Sequence, residues 1–426
     1  MLLIFLAAGC SKNELESIYD STTNCQRESS RQVSLVPLNE AMASLYQFLT
    51  ATNVSQYPTR ASVDKQIASI DIYYSNNKST RSVGALPDAY IVNFEDNQGY
   101  VVLGANTNVD PIVAVTDCGH IDPITLSVRE NQESVNMSRE NFRAFEGVEE
   151  LYPVADEGAI VTQAICNAFI RIDDGDEEIP GGGGTGGGGS SHQYHTCSTI
   201  LHTDWSQGYW GSCNVYNKYC YKNDHQFAYA GCSTAALAMI IAGVEFPTFL
   251  YVNNTLVDYD AMKNSRLATQ LTLEDQEYVS LLYGAIFNNV NKAFVLEEGT
   301  CITPAAIKDL MSDMGFANVE MLSGSNITNE MLNCISTMML NRRPVFISAI
   351  EGLLGGHSWV IDGASYNSSE NYLLHCNWGW GGADNGYYSP SCFNPPSLGN
   401  EFSWHFRVIS YDIPSTSITC SMGCLP

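Results

Sequence analysis

The chain has 426 residues, of which 46 are acidic and 20 basic, for a net charge of −26. So acidic a balance excludes nucleic acid and anionic membrane surfaces as partners, because both need basic patches. The length suffices for two or three domains with sizeable cores, and the acidic residues are spread over both halves.

The opening, MLLIFLAAGC, is apolar from Leu2 to Ala8 and ends in a small residue and a cysteine. It reads as a lipoprotein-type signal over residues 1–9, with Cys10 as the acylated position. The run is too short to span a bilayer. It carries no basic residue and Leu6 stands one position early, so an ordinary secretory signal is the competing reading. Either places the protein outside the cytoplasm, as a bacterial outer-membrane lipoprotein, on the cell surface or secreted. Residues 10–30 are polar and form a tether; a lipid on Cys10 is the only membrane contact expected.

Residues 31–178 read as a small α+β domain. Leu38, Met42, Leu45 and Leu49 share one face of a helix. Strands follow over Ala89–Phe94, Tyr100–Ala105 and Ile112–Thr116, the first two joined by the turn-like Glu95-Asp96-Asn97-Gln98-Gly99. An acidic stretch, Asp173 to Glu178, precedes PGGGGTGGGGSS, and residues 180–191 are read as a flexible linker. Such a joint is where a protease would cut.

Residues 192–426 form a second domain. His192, His195 and Cys197 lie together at its start; a mobile polar segment is preferred there to a metal site. The sequence holds 14 cysteines. Export permits disulfides, and the spacings Cys213–Cys220 and Cys420–Cys424 could each close a loop, though sequence fixes no pairing. Without a CxxC pair no structural zinc is expected, and no cofactor is implied. The segment AGCSTAALAMIIA predicts a buried helix over residues 233–242 with Cys232 at its N-terminus. Thr303 caps a helix with Pro304 in its first turn and Gly315 past its end. Thr328 caps another, which carries Met331, Ile335, Met338 and Met339 inward. Strands are predicted over Val345–Ile350, Ser358–Ile361, Tyr372–Cys376, Gly386–Ser389 and Phe402–Ile409. A helical half thus faces an antiparallel sheet half.

The chemistry is concentrated in a few positions. At a helix N-terminus the unpaired N–H groups and the dipole favour a thiolate at Cys232, and an imidazolium beside it would lower the thiol further. The alternative is a small buried hydrophobe. His357 follows Gly355 and Gly356, and Gly352–Leu354 adds a loop that could move. Asn377 is twenty residues further on, so both fit the ends of neighbouring strands. There Asn377 would accept the imidazole N–H and fix its tautomer, and Trp378 would cover that bond. Gln207 is the candidate second donor to an oxyanion, beside the Cys232 backbone N–H; Gln226 is its rival.

Together these blocks carry a resemblance. TDWSQG, AGCSTAALAMIIAG, TPAAIKDLMSDMGF, RRPVFISAI, GGHSWVIDGA and NWGWGGADNGYY resemble, in order and over most of residues 198–390, the streptopain family of papain-like cysteine peptidases. AYIVNFEDNQGYVVLGAN resembles that family's propeptide. The resemblance implies a papain-like two-lobed catalytic domain preceded by an inhibitory propeptide, and a zymogen acting on proteins or peptides. By position, Cys232 would be the nucleophile, His357 the general base and acid, Asn377 its orienter, Gln207 the oxyanion donor and Trp378 the shield. The many cysteines, the glycine linker and the Tyr- and Cys-rich Tyr209–Tyr229 depart from the family. A catalytically inactive binding or decoy lipoprotein on the same scaffold, or a cell-wall amidase-type acyl transferase, are the alternatives.

Overall fold

The computed structural model describes residues 33–53, 65–74, 86–121, 195–208, 215–221, 228–290, 292–295, 300–351, 355–367, 372–393, 395, 402 and 404–423. The signal, the tether, the acidic stretch, the linker, His192, Cys213, Gln226, Gly352–Leu354 and Cys424 lie outside them. Among the described residues no helix is long and apolar enough to cross a membrane.

The N-terminal part holds helix α1 (Leu38–Asn53) and strands β1 (Ile67–Tyr73), β2 (Ala89–Phe94), β3 (Tyr100–Gly104) and β4 (Ile112–Thr116). The four strands are antiparallel neighbours in chain order. Helix α1 lays Ala41, Leu45, Phe48 and Leu49 on them, with Leu38 and Met42 partly covered. This is the face its spacing predicts, widened by Ala41 and Phe48.

Next come β5 (His195–Cys197), α2 (Cys232–Val244), β6 (Phe249–Val252), β7 (Thr255–Leu256), α3 (Tyr259–Met262), α4 (Leu273–Asn289), β8 (Lys292–Val295) and β9 (Thr300–Ile302). They are followed by α5 (Pro304–Asp313), β10 (Ala317–Gly324), α6 (Asn329–Leu340), β11 (Val345–Glu351), β12 (Gly355–Tyr366), β13 (Tyr372–Asn377), β14 (Gly386–Tyr388), β15 (Trp404–Asp412) and β16 (Thr419–Met422). The predicted caps are made: the Thr303 hydroxyl accepts from the Ala306 N–H at 3.3 Å and that of Thr328 from the Met331 N–H at 3.2 Å.

Helix α2 is buried on every side from Ser233 to Ala242 and packs on β12, β11 and α4. The histidine-bearing sheet is antiparallel throughout. This is the expected α+β arrangement of a helical half against an antiparallel sheet half. The N-terminal strands, however, form no sheet of their own. Eleven strands run as one sheet in the order β1-β2-β3-β4-β14-β13-β12-β11-β15-β10, with β5 also on β12. The seam is β4 against β14, pairing Thr116 with Gly386, Val115 with Tyr387 and Ala114 with Tyr388. Gly386 is required there, because a Cβ would collide with the Val115 carbonyl oxygen. The small core under α1 accordingly includes Leu373 and Tyr387 from the C-terminal part.

One expectation is corrected. His195–Cys197 is not a mobile polar segment but strand β5, paired with Ala364, Ser365 and Tyr366. The Thr196 and Ser365 hydroxyls lie 2.9 Å apart across it, so the backbone polarity of the segment is spent on β12.

The seam also holds a buried charge. His375 of β13 has Nδ1 2.6 Å from Asp362 of β12 and Nε2 3.4 Å from Asp117, just past β4. Burial pushes the imidazole pKa down, but the two carboxylates outweigh it and raise the pKa to about 10, from 6.5. A folded-state pKa above the unfolded one stabilises fully below about 6.5, and that contribution is lost as pH rises through about 10. We therefore expect chemical denaturation of the wild-type chain to show stability falling between neutrality and pH 10 with a component that His375→Gln abolishes. At neutral pH, His375→Ala, which takes the imidazolium from between two buried carboxylates, should cost on the order of 3–5 kcal/mol.

Candidate active site

The residue before α2 decides how the cysteine is presented. Gly231 has φ 83°, and a Cβ on it would sit 2.5 Å from the Thr300 carbonyl oxygen; only glycine allows both. The chain therefore enters α2 pressed against β9, and Cys232 is the first helical residue. The Ser233 hydroxyl donates to the Ile302 carbonyl at 3.1 Å and lies 3.0 Å from the Ser358 hydroxyl. Residues 233 and 358 touch, which brings the start of α2 against β12 beside His357.

His357 lies near the start of β12 and Asn377 is the last residue of β13, its paired neighbour. The imidazole does not bond to Asn377. Its Nε2 donates to the Trp378 carbonyl oxygen at 2.8 Å. A carbonyl only accepts, so this bond fixes the proton on Nε2 and leaves Nδ1 as the basic nitrogen. The Asn377 amide is committed elsewhere: Nδ2 donates to the Thr203 carbonyl at 2.7 Å and Oδ1 accepts from the Gly379 N–H at 3.3 Å. The orienting part expected of Asn377 is thus played by the next residue's main chain, while Asn377 pins the turn that carries it.

Trp378 is fully buried, and its Nε1 donates to the Asp384 carbonyl at 3.0 Å. Its ring is 6.2 Å from the imidazole. Trp380 is closer, stacked at 4.6 Å, and Phe402 lies at 5.2 Å. The sequence reading assigned neither of these two a part. The repeated tryptophan in NWGW was a usable signal for Trp380; Phe402 offered none.

Gln207 lies between the two halves of the site. Its N–H donates to the Gly379 carbonyl at 3.0 Å, and its carbonyl accepts from the Gly231 N–H at 3.2 Å. Its side-chain Oε1 is buried with no hydrogen-bond partner among the described residues. That oxygen is therefore not consumed in holding the fold.

The electrostatics differ from the expected ion pair. Burial raises the Cys232 thiol above its usual range, and hydrogen bonds from Ser358 and Ser233 only partly offset this. Burial lowers the His357 imidazole to about 4, against the pull of the Trp378 carbonyl. In this state both groups are neutral at neutral pH, since desolvation outweighs the helix dipole. Among the described residues no group of three or more His, Cys, Asp or Glu is placed to hold a metal ion.

Residues 210–388 match the model of the Peptidase C10 family. Streptopain of Streptococcus pyogenes is 38% identical over 65 residues, which is 15% of this chain and 15% of that protein. The thiol protease/hemagglutinin PrtT of Porphyromonas gingivalis is 36% identical over 70 residues, 16% of this chain and 8% of that protein. Each alignment thus spans a small fraction of the relative's own length. Among solved structures, active wild-type interpain A of Prevotella intermedia superposes with a TM-score of 0.41 at 20% identity, over 53% of this chain and 96% of that chain. A fragment of prointerpain A from the same organism gives 0.47 at 15% identity, over 83% and 99%. The matched stretch contains Cys232, His357, Asn377 and Trp378, with Gln207 three residues before it, and over that stretch the chain is similar to the Peptidase C10 family.

Proposed function

We propose that the chain is a cysteine endopeptidase made as an inactive precursor. The observation that carries this reading is the meeting of two elements: Cys232 begins a buried helix, and its neighbour Ser233 touches the neighbour of a histidine whose Nε2 proton is fixed by a main-chain carbonyl. Nδ1 of His357 is then the base that takes the Cys232 proton. The thiolate attacks the peptide carbonyl carbon, and the oxyanion is held by the Cys232 N–H and the Gln207 side-chain amide. His357 returns the proton to the leaving amine, and water hydrolyses the thioester. Asn377 holds the turn, and Trp378 and Trp380 keep water from the imidazole. Substrates are proteins or peptides.

Two features support the precursor state. The thiol and imidazole are held neutral by burial. Strand β4 of the N-terminal part is stitched to β14, seven residues after the turn begins at Gly379. The N-terminal part would be the intramolecular inhibitor, released by a cut near the 180–191 linker. Cys10 would carry the lipid that holds the precursor at an extracytoplasmic bacterial surface; incorporation of labelled palmitate, lost in Cys10→Ala, checks this.

Purified Cys232→Ala should stay full length while wild type shortens during incubation; equal processing of both would exclude self-cleavage. In the full chain, alkylation of Cys232 by iodoacetamide should keep climbing past pH 9, the ordinary thiol range, because burial raises its pKa. After limited proteolysis of the linker the profile should move below neutrality, and a thiol-directed epoxide should then label Cys232. Peptide mapping is needed, since Cys301 is an exposed thiol. A folded protein that takes no label at Cys232 in either state would favour the inactive binding scaffold.

A further inference from the structure

The carbonyl that fixes His357 belongs to a turn, and the turn has an anchor in the other half of the molecule. Asn385, at the end of that turn and 1% exposed, accepts the Trp378 N–H on its Oδ1 at 3.0 Å. Its Nδ2 donates to Asp204 Oδ1 at 3.0 Å. Asp204 is also 1% exposed; a carboxylate that deeply buried needs a cation. The cation is Arg266, from the segment between α3 and α4, which donates Nε to Asp204 Oδ2 at 2.7 Å and Nη2 to Oδ1 at 3.0 Å. The main chains join as well, with the Asp204 N–H on the Arg266 carbonyl at 2.7 Å. The guanidinium fork presents both donors in one plane, which a lysine cannot reproduce.

We propose that Arg266, Asp204 and Asn385 are positioning residues that hold the main chain of Trp378 by its N–H, across the Cα from the carbonyl that binds the imidazole, and so set the orientation and tautomer of His357. The path is continuous: Arg266 to Asp204, Asp204 to Asn385, Asn385 to the Trp378 N–H, and the Trp378 carbonyl to His357 Nε2. It crosses from the helical half to the sheet half. The same turn is gripped from its other side by the N-terminal part: the Tyr100 hydroxyl donates to Asp384 Oδ1 at 3.1 Å, and the Asp117 N–H donates to the Asn385 carbonyl at 2.8 Å. Once the N-terminal part is released, that second grip is gone, and the Arg266–Asp204 pair remains as the ionic anchor of the turn beside the hydrogen bonds of Asn377 and Gln207. The role in catalysis rests on the peptidase reading above; the role in setting the tautomer does not.

The test compares wild type, Arg266→Lys, Asn385→Asp and the swapped pair Asp204→Asn with Asn385→Asp, each in the full and the linker-cleaved chain. Asn385→Asp removes the donor that Asp204 accepts and sets two carboxylates face to face. The double variant restores one amide against one carboxylate with the order reversed, and still offers an oxygen to the Trp378 N–H. In the cleaved enzyme we expect kcat to fall at least about 10-fold in Asn385→Asp and about 3-fold in Arg266→Lys, on the scale expected when a catalytic group is slightly misplaced. KM should stay near wild type, and the double variant, which restores the amide–carboxylate bond but gives Arg266 a neutral partner, should recover only part of the loss. Arg266→Lys keeps the charge and covers the case in which Asn385→Asp does not fold. Wild-type kcat in either folded single variant would overturn the proposal. Nitrogen NMR of histidine-labelled full chain reads the same proposal without turnover: His357 should show a proton on Nε2 in wild type and a mixture of tautomers in the variants. If wild type neither cleaves peptides nor takes epoxide at Cys232, the peptidase reading fails, and this spectrum decides the positioning role by itself. Identical His357 resonances in all four proteins would refute it.

Discussion

A helix that is apolar all the way round has no face for solvent, and α2 is such a helix. It has to be enclosed, and β12, β11, β9 and α4 enclose it. Cys232, its first residue, stays partly exposed, but the thiol borders the same low-dielectric surroundings. The helix dipole there is worth about 0.3–1 kcal/mol at exposed sites and up to ~2 kcal/mol when partly buried. Burial acts in the opposite direction and prevails, so the thiol is raised. The constraint that builds the helical half thus also keeps the Cys232 thiol protonated.

The imidazole is governed by the same balance with a different holder. A side-chain amide could turn; a main-chain carbonyl can move only with its peptide unit. His357 is bonded to the Trp378 carbonyl; the N–H of that peptide unit, on Gly379, donates to Asn377 Oδ1, and the Trp378 N–H of the preceding unit is held by Asn385. Stacked Trp380 and Phe402 limit rotation of the ring. Each restraint is a single ordinary hydrogen bond, net worth about 0.5–1.5 kcal/mol. Together they leave the ring one orientation and one tautomer.

Much of this was legible in the sequence where local pattern decides structure. The capping threonines, the face of α1, the apolar run of α2 and strands β2 to β4 and β11 to β14 follow from spacing and composition. Where burial changes along an element, the pattern fails. Helix α4 begins exposed and ends buried from Val279 to Phe287, so it has no single amphipathic face, and it went unassigned. Strand β16 finds its partner β6 in parallel from far along the chain, and nothing local marks either. The site divides the same way. Cys232 and His357 announce themselves by neighbouring glycines and a buried run. The replacement of Asn377 by the Trp378 carbonyl is invisible, since every residue has a carbonyl. Arg266 was unreadable because its partner Asp204 is 62 positions away.

The continuous sheet bears on how the proposed precursor would be switched. Cutting the linker removes a covalent tie but leaves the seam: the β4–β14 pairing, the contact of Tyr100 with Asp384, and Asp117 beside His375. Departure of the N-terminal part would expose β14 as an edge only three residues long, short enough to resist pairing with other chains. It would also take away one of the two carboxylates that keep His375 charged, leaving Asp362 at 2.6 Å to hold it. The imidazolium therefore keeps a partner on either side of activation. That fits a seam built to be opened: most of the charge pairing lies within the C-terminal part, and what the N-terminal part contributes can be withdrawn without stranding a buried charge there.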